Sequence, residues 1–378
     1  MFLKEIEYSE YAGTAQEWHL ERTSLGQRNL VVGKNSTGKT RTLNLIAGLA
    51  RNLTSTAPLP LSAHFRVTWI HEGKQYFYEV LIEDQQVQLE VLRIDGKEYL
   101  ERRVGGVGRI WADKIGDGQY IEFQTPPSEI AIFKRRDSIQ HGFIEPLHDW
   151  ASQVRHYHFG SLFGKEHLTI FVPNGPAVDE RDENQVSGLF RQGIKQFGQP
   201  YVEAVRADMS KVGYDLETIE LGAPVSVRFE GIPGELLSIR VKERGLTCMT
   251  DQFGMSQGMY RVLSLFVHLN YMQRKGVSTC VVVDDIGEGL DFERSCQVIS
   301  VLREKSERSG LQLIMSSNDR FVMNEVPLEE WTVLQRTGSR VRARNYANSA
   351  EQFDEFRFTG LSNFSFFEMD YLNESRAE

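Results

Sequence analysis

Cysteine is scarce in this sequence, with Cys248, Cys280 and Cys296 the three in 378 residues, and no two of them stand at a metal-ligand spacing. An odd, sparse set excludes a disulfide framework and suits a reducing compartment. All three are expected to be packing residues. Long apolar runs are also missing: "CVVV" at 280–283 falls far short of the roughly 20 residues a membrane-crossing helix needs. The opening "MFLKEIEYSEYAG" carries acids where a secretory leader has a basic and then apolar start. A cytoplasmic location without a membrane partner is the expectation. Surplus positive charge is absent too, since the formal net charge of -9 argues against a surface that neutralises phosphates as a whole. DNA contact stays open only locally, at "ERRVGGVGR" (101–109) and "FKRRDS" (133–138). Neither stretch interleaves aromatics as single-strand binders do, and a solvated face is the competing reading.

What is present fits a globular chain, with 40% hydrophobic and 25% charged residues. A short N-terminal strand and a turn lead to the apolar strand "NLVV", the glycine-rich "GKNSTGKT" at 33–40, and the helical pattern "KTRTLNLIAGLARNL". From His64 to Arg103 the residues alternate, and "HEGK" and "DGKE" give the turns of antiparallel strands. Apolar residues recur at helical spacing from Phe143 to Val154 and over 186–212, with a polar connector at 171–185 marking a change of lobe. "LLSIRVKERG" then returns to strand periodicity.

Phosphate binding by the glycine-rich stretch needs Gly33 and Gly38, so that backbone N–H groups of the loop through Asn35, Ser36 and Thr37 can turn inward at a helix start. Lys39 is then placed for the β- and γ-phosphates of ATP, and the Thr40 hydroxyl for a magnesium ion. Such a site also needs a carboxylate on a second strand and a group to orient water. "VVVDD" supplies Asp284 for the metal and Asp285 for the water, the weaker alternative being that the paired aspartates simply cap the next helix. "MSQGM" places Ser256 and Gly258 at the start of a stripe formed by Val262, Leu263, Leu265, Phe266 and Leu269. It is an anion site or a plain N-cap, and it lies 284 − 256 = 28 residues ahead of the acid strand.

The ordered set "GKNSTGKT", "MSQGM", "VVVDD" and "GLD" resembles the ATP-binding-cassette (ABC) ATPases, within them the soluble branch of RecF-like, chromosome-maintenance (SMC) and OLD-like ATPases. The resemblance implies an α/β fold: a P-loop NTPase with an ABC-type core, an antiparallel β arm and a helical lobe. The chain is expected to be one ATPase over 1–378. Its core is 1–60 and 250–345, the arm 61–135, the insert lobe 136–249, and an acidic, aromatic tail 346–378. The family pattern also implies an ATP sandwich in a homodimer, or a higher oligomer, in which Ser256 and Gly258 meet the γ-phosphate on the other subunit and Asp291 of "GLD" touches the partner's site.

Departures from that pattern shape the expected activity. Asp285 stands where the family places Glu, one methylene shorter, so hydrolysis should be slow, with Glu288 a substitute base or a solvated loop acid. The switch histidine is replaced by Ser317 or Asn318. Gln140 is a weak choice for the Q-loop, and Tyr8 or Tyr11 for adenine stacking. His156 and His158 have a spacing that can ligate metal, but no acid or cysteine cluster accompanies them. After the last motif only residues 318–378 follow, so no nuclease domain is expected. The tail holds Phe353, Phe356, Phe358, Phe364, Phe366, Phe367 and Tyr371, which either pack on their own core or dock a partner. The reading is an ATP-dependent, dimerising ATPase controlling a separate effector protein in phage defence or genome maintenance. The alternatives are a RecF-type DNA binder, a transport ATPase, and an ATP-bound scaffold with negligible turnover.

Overall fold

The computed structural model describes residues 1–172, 175, 177–227, 234–277 and 280–374. The chain divides into two compact units, Met1–Val154 with Gln312–Ser316 and Pro327–Glu378, and Arg155–Leu311 with Ser317–Val326.

In the first unit, Arg28–Val32 is buried along most of its length and pairs in parallel with Gln312–Ser316 on one side and Trp331–Thr337 on the other. Parallel strands buried on both faces read as continuous apolar runs, which is the character of "NLVV". Trp331–Thr337 forms a hairpin with Arg340–Asn345, which runs parallel to Trp18–Ser24. That strand pairs with Phe2–Glu10, so two strands stand where one short N-terminal strand was expected. From Phe2–Glu10 the sheet continues antiparallel through Ser62–His71, Lys74–Glu83, Gln86–Ile94, Lys97–Arg103, Val107–Ala112 and Gln119–Gln124.

Three of those hairpins turn on two residues, 72–73, 84–85 and 95–96, and all six have positive φ. That geometry matches the right-handed twist of the flanking strands. Glycine serves it at Gly73 and Gly96, whereas Asp84 and Gln85 adopt it without glycine. Lys39–Leu53 turns Leu43, Ile46, Leu49 and Leu53 inward and packs on Glu145–Gln153.

The second unit holds the parallel pair Arg155–His158 and Cys280–Asp284. A small antiparallel sheet of Thr169–Phe171, Glu235–Glu243, Leu216–Gly222 and Thr250–Asp251 lies in the same unit. The span 186–212 forms two helices, Val186–Phe197 and Gln199–Lys211, broken at Gly198, whose φ is 65°. Both pack on Gln257–Arg274. The stripe from Val262 to Leu269 is buried there, but so is the opposite side, including His268 and Asn270. This helix is therefore enclosed all round. Within the connector at 171–185, residues 173, 174 and 176 lie outside the described residues.

Candidate functional site

In the first unit the strand ends at Val32 and the chain turns through 33–38 before the helix begins at Lys39. A Cβ on Gly33 would lie 2.5 Å from Thr37 Oγ1 and 3.0 Å from the Leu334 carbonyl, so the turn closes only with glycine there. Gly38 has φ 105°, and a Cβ on it would stand 3.1 Å from the Trp18 indole. Thr37 ties the turn by donating its amide and hydroxyl to the Lys34 carbonyl at 3.2 and 2.8 Å. Lys39 is buried and donates to the Gly33 carbonyl at 2.8 Å. Asn35, Ser36 and Thr40 are exposed. The helix has no side-chain cap and no acid in its first turn, which leaves its N-terminal amides and dipole to an anion. A glycine-shaped cradle, a buried lysine and an exposed threonine fit nucleotide phosphate and magnesium.

Residues not singled out by motif support this loop from outside. The Arg41 guanidinium lies 4.4 Å over the Trp18 ring and pairs with Glu10, and Arg336 donates to the Ser36 carbonyl at 3.1 Å. Trp18, Glu10 and Arg336 carry no local signal, because each reaches the loop through the sheet, whereas Arg41 follows Thr40 directly in the helix.

In the second unit Asp284 is the buried last residue of its strand, and its carbonyl accepts from the Phe159 amide at 2.9 Å. Asp285 follows half-buried at φ 53°, a conformation that aspartate tolerates better than most residues. Glu288 is exposed, with its carboxylate against Gly160; a Cβ there would be 2.7 Å from Glu288 Oε2 and 3.2 Å from Asp285 Cβ. The Arg261 guanidinium gathers the carbonyls of Gly160, Ser161 and Glu288 at 2.5, 2.8 and 2.8 Å.

Ser256 and Asp291 both cap helices. Ser256 Oγ accepts from the Met259 amide at 3.2 Å. Asp291 accepts from the Arg294 amide at 2.9 Å and pairs with its guanidinium, contacts that hold its carboxyl below the usual range. Gly258 is needed for packing, since a Cβ would lie 2.9 Å from Leu290 Cδ2 and 3.0 Å from the Gly289 carbonyl.

The remaining candidates have the following surroundings. Ser317 is fully buried and donates its hydroxyl to the Ile286 carbonyl at 2.8 Å, while Asn318 is exposed. Tyr8 is buried between Trp18 and Phe65, which removes it as an adenine platform. Gln140 spends its side-chain carbonyl on the Lys114 amide. Cys248 is exposed rather than packed. His158 bonds Glu183 at 2.7 Å, and among the described residues no group of three or more potential ligands could hold a metal.

Most cations of the basic stretches have an acidic neighbour, Arg135 excepted, which donates to the Gln124 carbonyl. Arg102 is buried against Glu90, Arg103 pairs with Glu101, and Arg109 with Glu98. Lys134 pairs with Glu129 and Arg136 with Glu145, so these residues spend their charge on neighbours. Of the tail aromatics, Phe353, Phe356 and Phe366 are buried, with Phe366 also against Trp331, whereas Phe358 is 91% exposed. Three of the seven tail aromatics are thus core residues, and the other four are exposed or half-buried. No helix among the described residues is long and apolar enough to cross a membrane.

No protein-family model matches the chain, and no curated protein matches it by sequence. Solved structures do. The α/β architecture, with a helix springing from a glycine loop on a central parallel strand, is that of SMC head domains. One, an SMC head bound to the C-terminal winged-helix domain of ScpA, aligns over 91% of this chain and 98% of its own at TM-score 0.54 and 11% identity. Another, an SMC head with an extended coiled coil bound to the C-terminal domain of ScpA, derived from Pyrococcus furiosus, aligns over 94% and 99% at TM-score 0.53 and 10% identity. Likeness at such identity defines the fold alone.

Proposed function

We propose that the chain is an SMC-like ATPase head that binds ATP and magnesium, closes as a homodimer, hydrolyses ATP slowly and controls a separate effector protein. The observation that carries the reading is the loop at 33–40, where a Cβ on Gly33 would clash with Thr37, Gly38 takes a φ of 105°, and Lys39 is held against the Gly33 carbonyl. Lys39 and the amides of Asn35, Ser36, Thr37 and Gly38 bind the phosphates. Thr40 and Asp284 hold the magnesium ion, which when bound stabilises developing phosphate charge. Asp285 orients the attacking water, with Glu288 in reserve. Ser256, Gly258 and Asp291 of one subunit complete the site of the other.

Slow turnover rests on the short Asp285 side chain and on Ser317, which spends its hydroxyl on Ile286. The effector belongs to phage defence or genome maintenance by analogy with the soluble branch; both SMC heads above were solved with a protein partner. Titration of ATP into the whole chain, with size measured in parallel, tests this. Binding lost in Lys39→Ala and an ATP-dependent dimer are expected, and unchanged ATP binding by that variant sinks the reading.

A further inference from the structure

A cleft of about 820 Å³ opens beside the phosphate loop, wholly within the first unit. Its walls are loop residues 34–37, the hairpin of Trp331–Thr337 and Arg340–Asn345, and the C-terminal stretch 366–372. Asn35, Ser36 and Thr37 give it one wall in common with the phosphate loop, whereas Gly38, Lys39 and Thr40, the lysine and helix start assigned to ATP, do not line it. Its volume falls in the range of small-molecule sites, roughly 300–1,000 Å³.

The lining is cationic, with Lys34, Arg336, Arg340 and Arg342 against Glu21 and Asp370. Arg342 is satisfied by Glu21 at 3.0 Å. Arg336 gives its N–H groups to the carbonyls of Gly338 and Ser36, and neither it nor Arg340 has a carboxylate partner among the described residues. Lys34 meets Asp370 at 2.9 Å, but this pair is open to water, with side chains 67% and 39% exposed. Such pairs contribute only about 0–1 kcal/mol, so a competing anion can take Lys34. Phe367 and Tyr371 give an aromatic wall, and Tyr371 rests on buried Phe356, with ring centres 5.3 Å apart. Arginines and aromatic rings lining one cleft suit a ligand that combines a phosphate with a flat ring.

We propose that this cleft is a second ligand site for a nucleoside monophosphate or a ligand of that chemistry. Arg340, Arg336 and Lys34 take the phosphate, Phe367 and Tyr371 face the ring, and Asp370 is the internal competitor for Lys34. The site does not depend on the phosphate loop binding ATP.

Calorimetric titration of the whole chain carrying Lys39→Ala, with each of the four ribonucleoside monophosphates and with inorganic phosphate, tests it. At least one monophosphate should bind once per chain, about tenfold or more tighter than inorganic phosphate, which lacks the ring. Adding Arg340→Ala should weaken binding about tenfold or more. Adding Asp370→Asn should tighten it by about two- to fivefold, because the competitor is removed. The proposal is overturned if no monophosphate binds, if inorganic phosphate binds as well, if Arg340→Ala has no effect, or if Asp370→Asn weakens binding. Arg340 and Asp370 sit at exposed or half-exposed positions, Lys39 is buried, and circular dichroism checks that each variant is folded. ATP binding by the unsubstituted chain is scored separately, so failure of the loop reading and failure of the cleft are distinguishable.

Discussion

Trp18 fills the space that a side chain on Gly38 would need: a Cβ there would be 3.1 Å from its indole Cζ2, and Gly38 is itself at φ 105°. Gly38→Ala therefore meets both a backbone penalty and a wall. The expected cost is about 1–3 kcal/mol of stability, read from the urea midpoint, together with a loss of ATP affinity of about tenfold or more. Trp18→Leu in the same chain should restore part of the stability but none of the backbone preference.

Arg102 and Glu90 form a fully buried pair at 3.4 Å. The arginine also donates to the carbonyls of Glu129 and Pro126, and the carboxylate accepts from Tyr78 and from the amides of Ala131 and Ile132. Removing one charge leaves the other stranded. Arg102→Met should cost about 3–5 kcal/mol in chemical denaturation, far more than Arg103→Met on the exposed side of the same strand.

Burial among Tyr157 and Phe163 pushes the His268 imidazole down from 6.5 to about 3. The unfolded chain takes up a proton near 6.5 that the folded chain refuses until about 3. Stability due to this residue is thus complete above pH 6.5, falls by about 1.4 kcal/mol per unit as pH drops, and stops falling below about 3. His268→Gln should flatten that limb in a series of urea titrations, and an unchanged slope would refute the assignment.

Asp285 is the test of the hydrolytic reading. Asp285→Asn keeps the side-chain shape and the tolerance for φ 53° while removing the charge. Phosphate release in a single turnover should fall about tenfold or more with ATP binding retained. Equal release would move the role to Glu288 or to another acid.

Neutralising Lys134, Arg135 and Arg136 together should leave DNA affinity at low salt within about twofold, because the chain's net charge of -9 opposes phosphate binding. A large, salt-dependent loss would restore the DNA-binding alternative.

The hairpin turns show how far local pattern reaches. Those at Gly73 and Gly96 were legible because glycine marks a positive φ, whereas the turn at Asp84 and Gln85 has the same geometry without the marker. The same limit hid the Trp18 strand, whose partners are 8 to 19 residues away on one side and more than 300 on the other. In the tail, seven aromatics read alike, yet packing buried Phe353, Phe356 and Phe366 and left Phe358 out.

By itself the sequence determined the α/β class and the loop at 33–40, because a positive φ, a helix start and an apolar strand are specified by neighbouring residues. It also placed Asp284 at a strand end and Ser256 at a helix start. Only tertiary structure decided which charges are spent, since Arg102 and Glu90 lie 12 residues apart yet share one buried site, and Lys34 finds Asp370 at a distance of 336 residues. Charge and burial depend on what the fold brings alongside, and no local pattern encodes that.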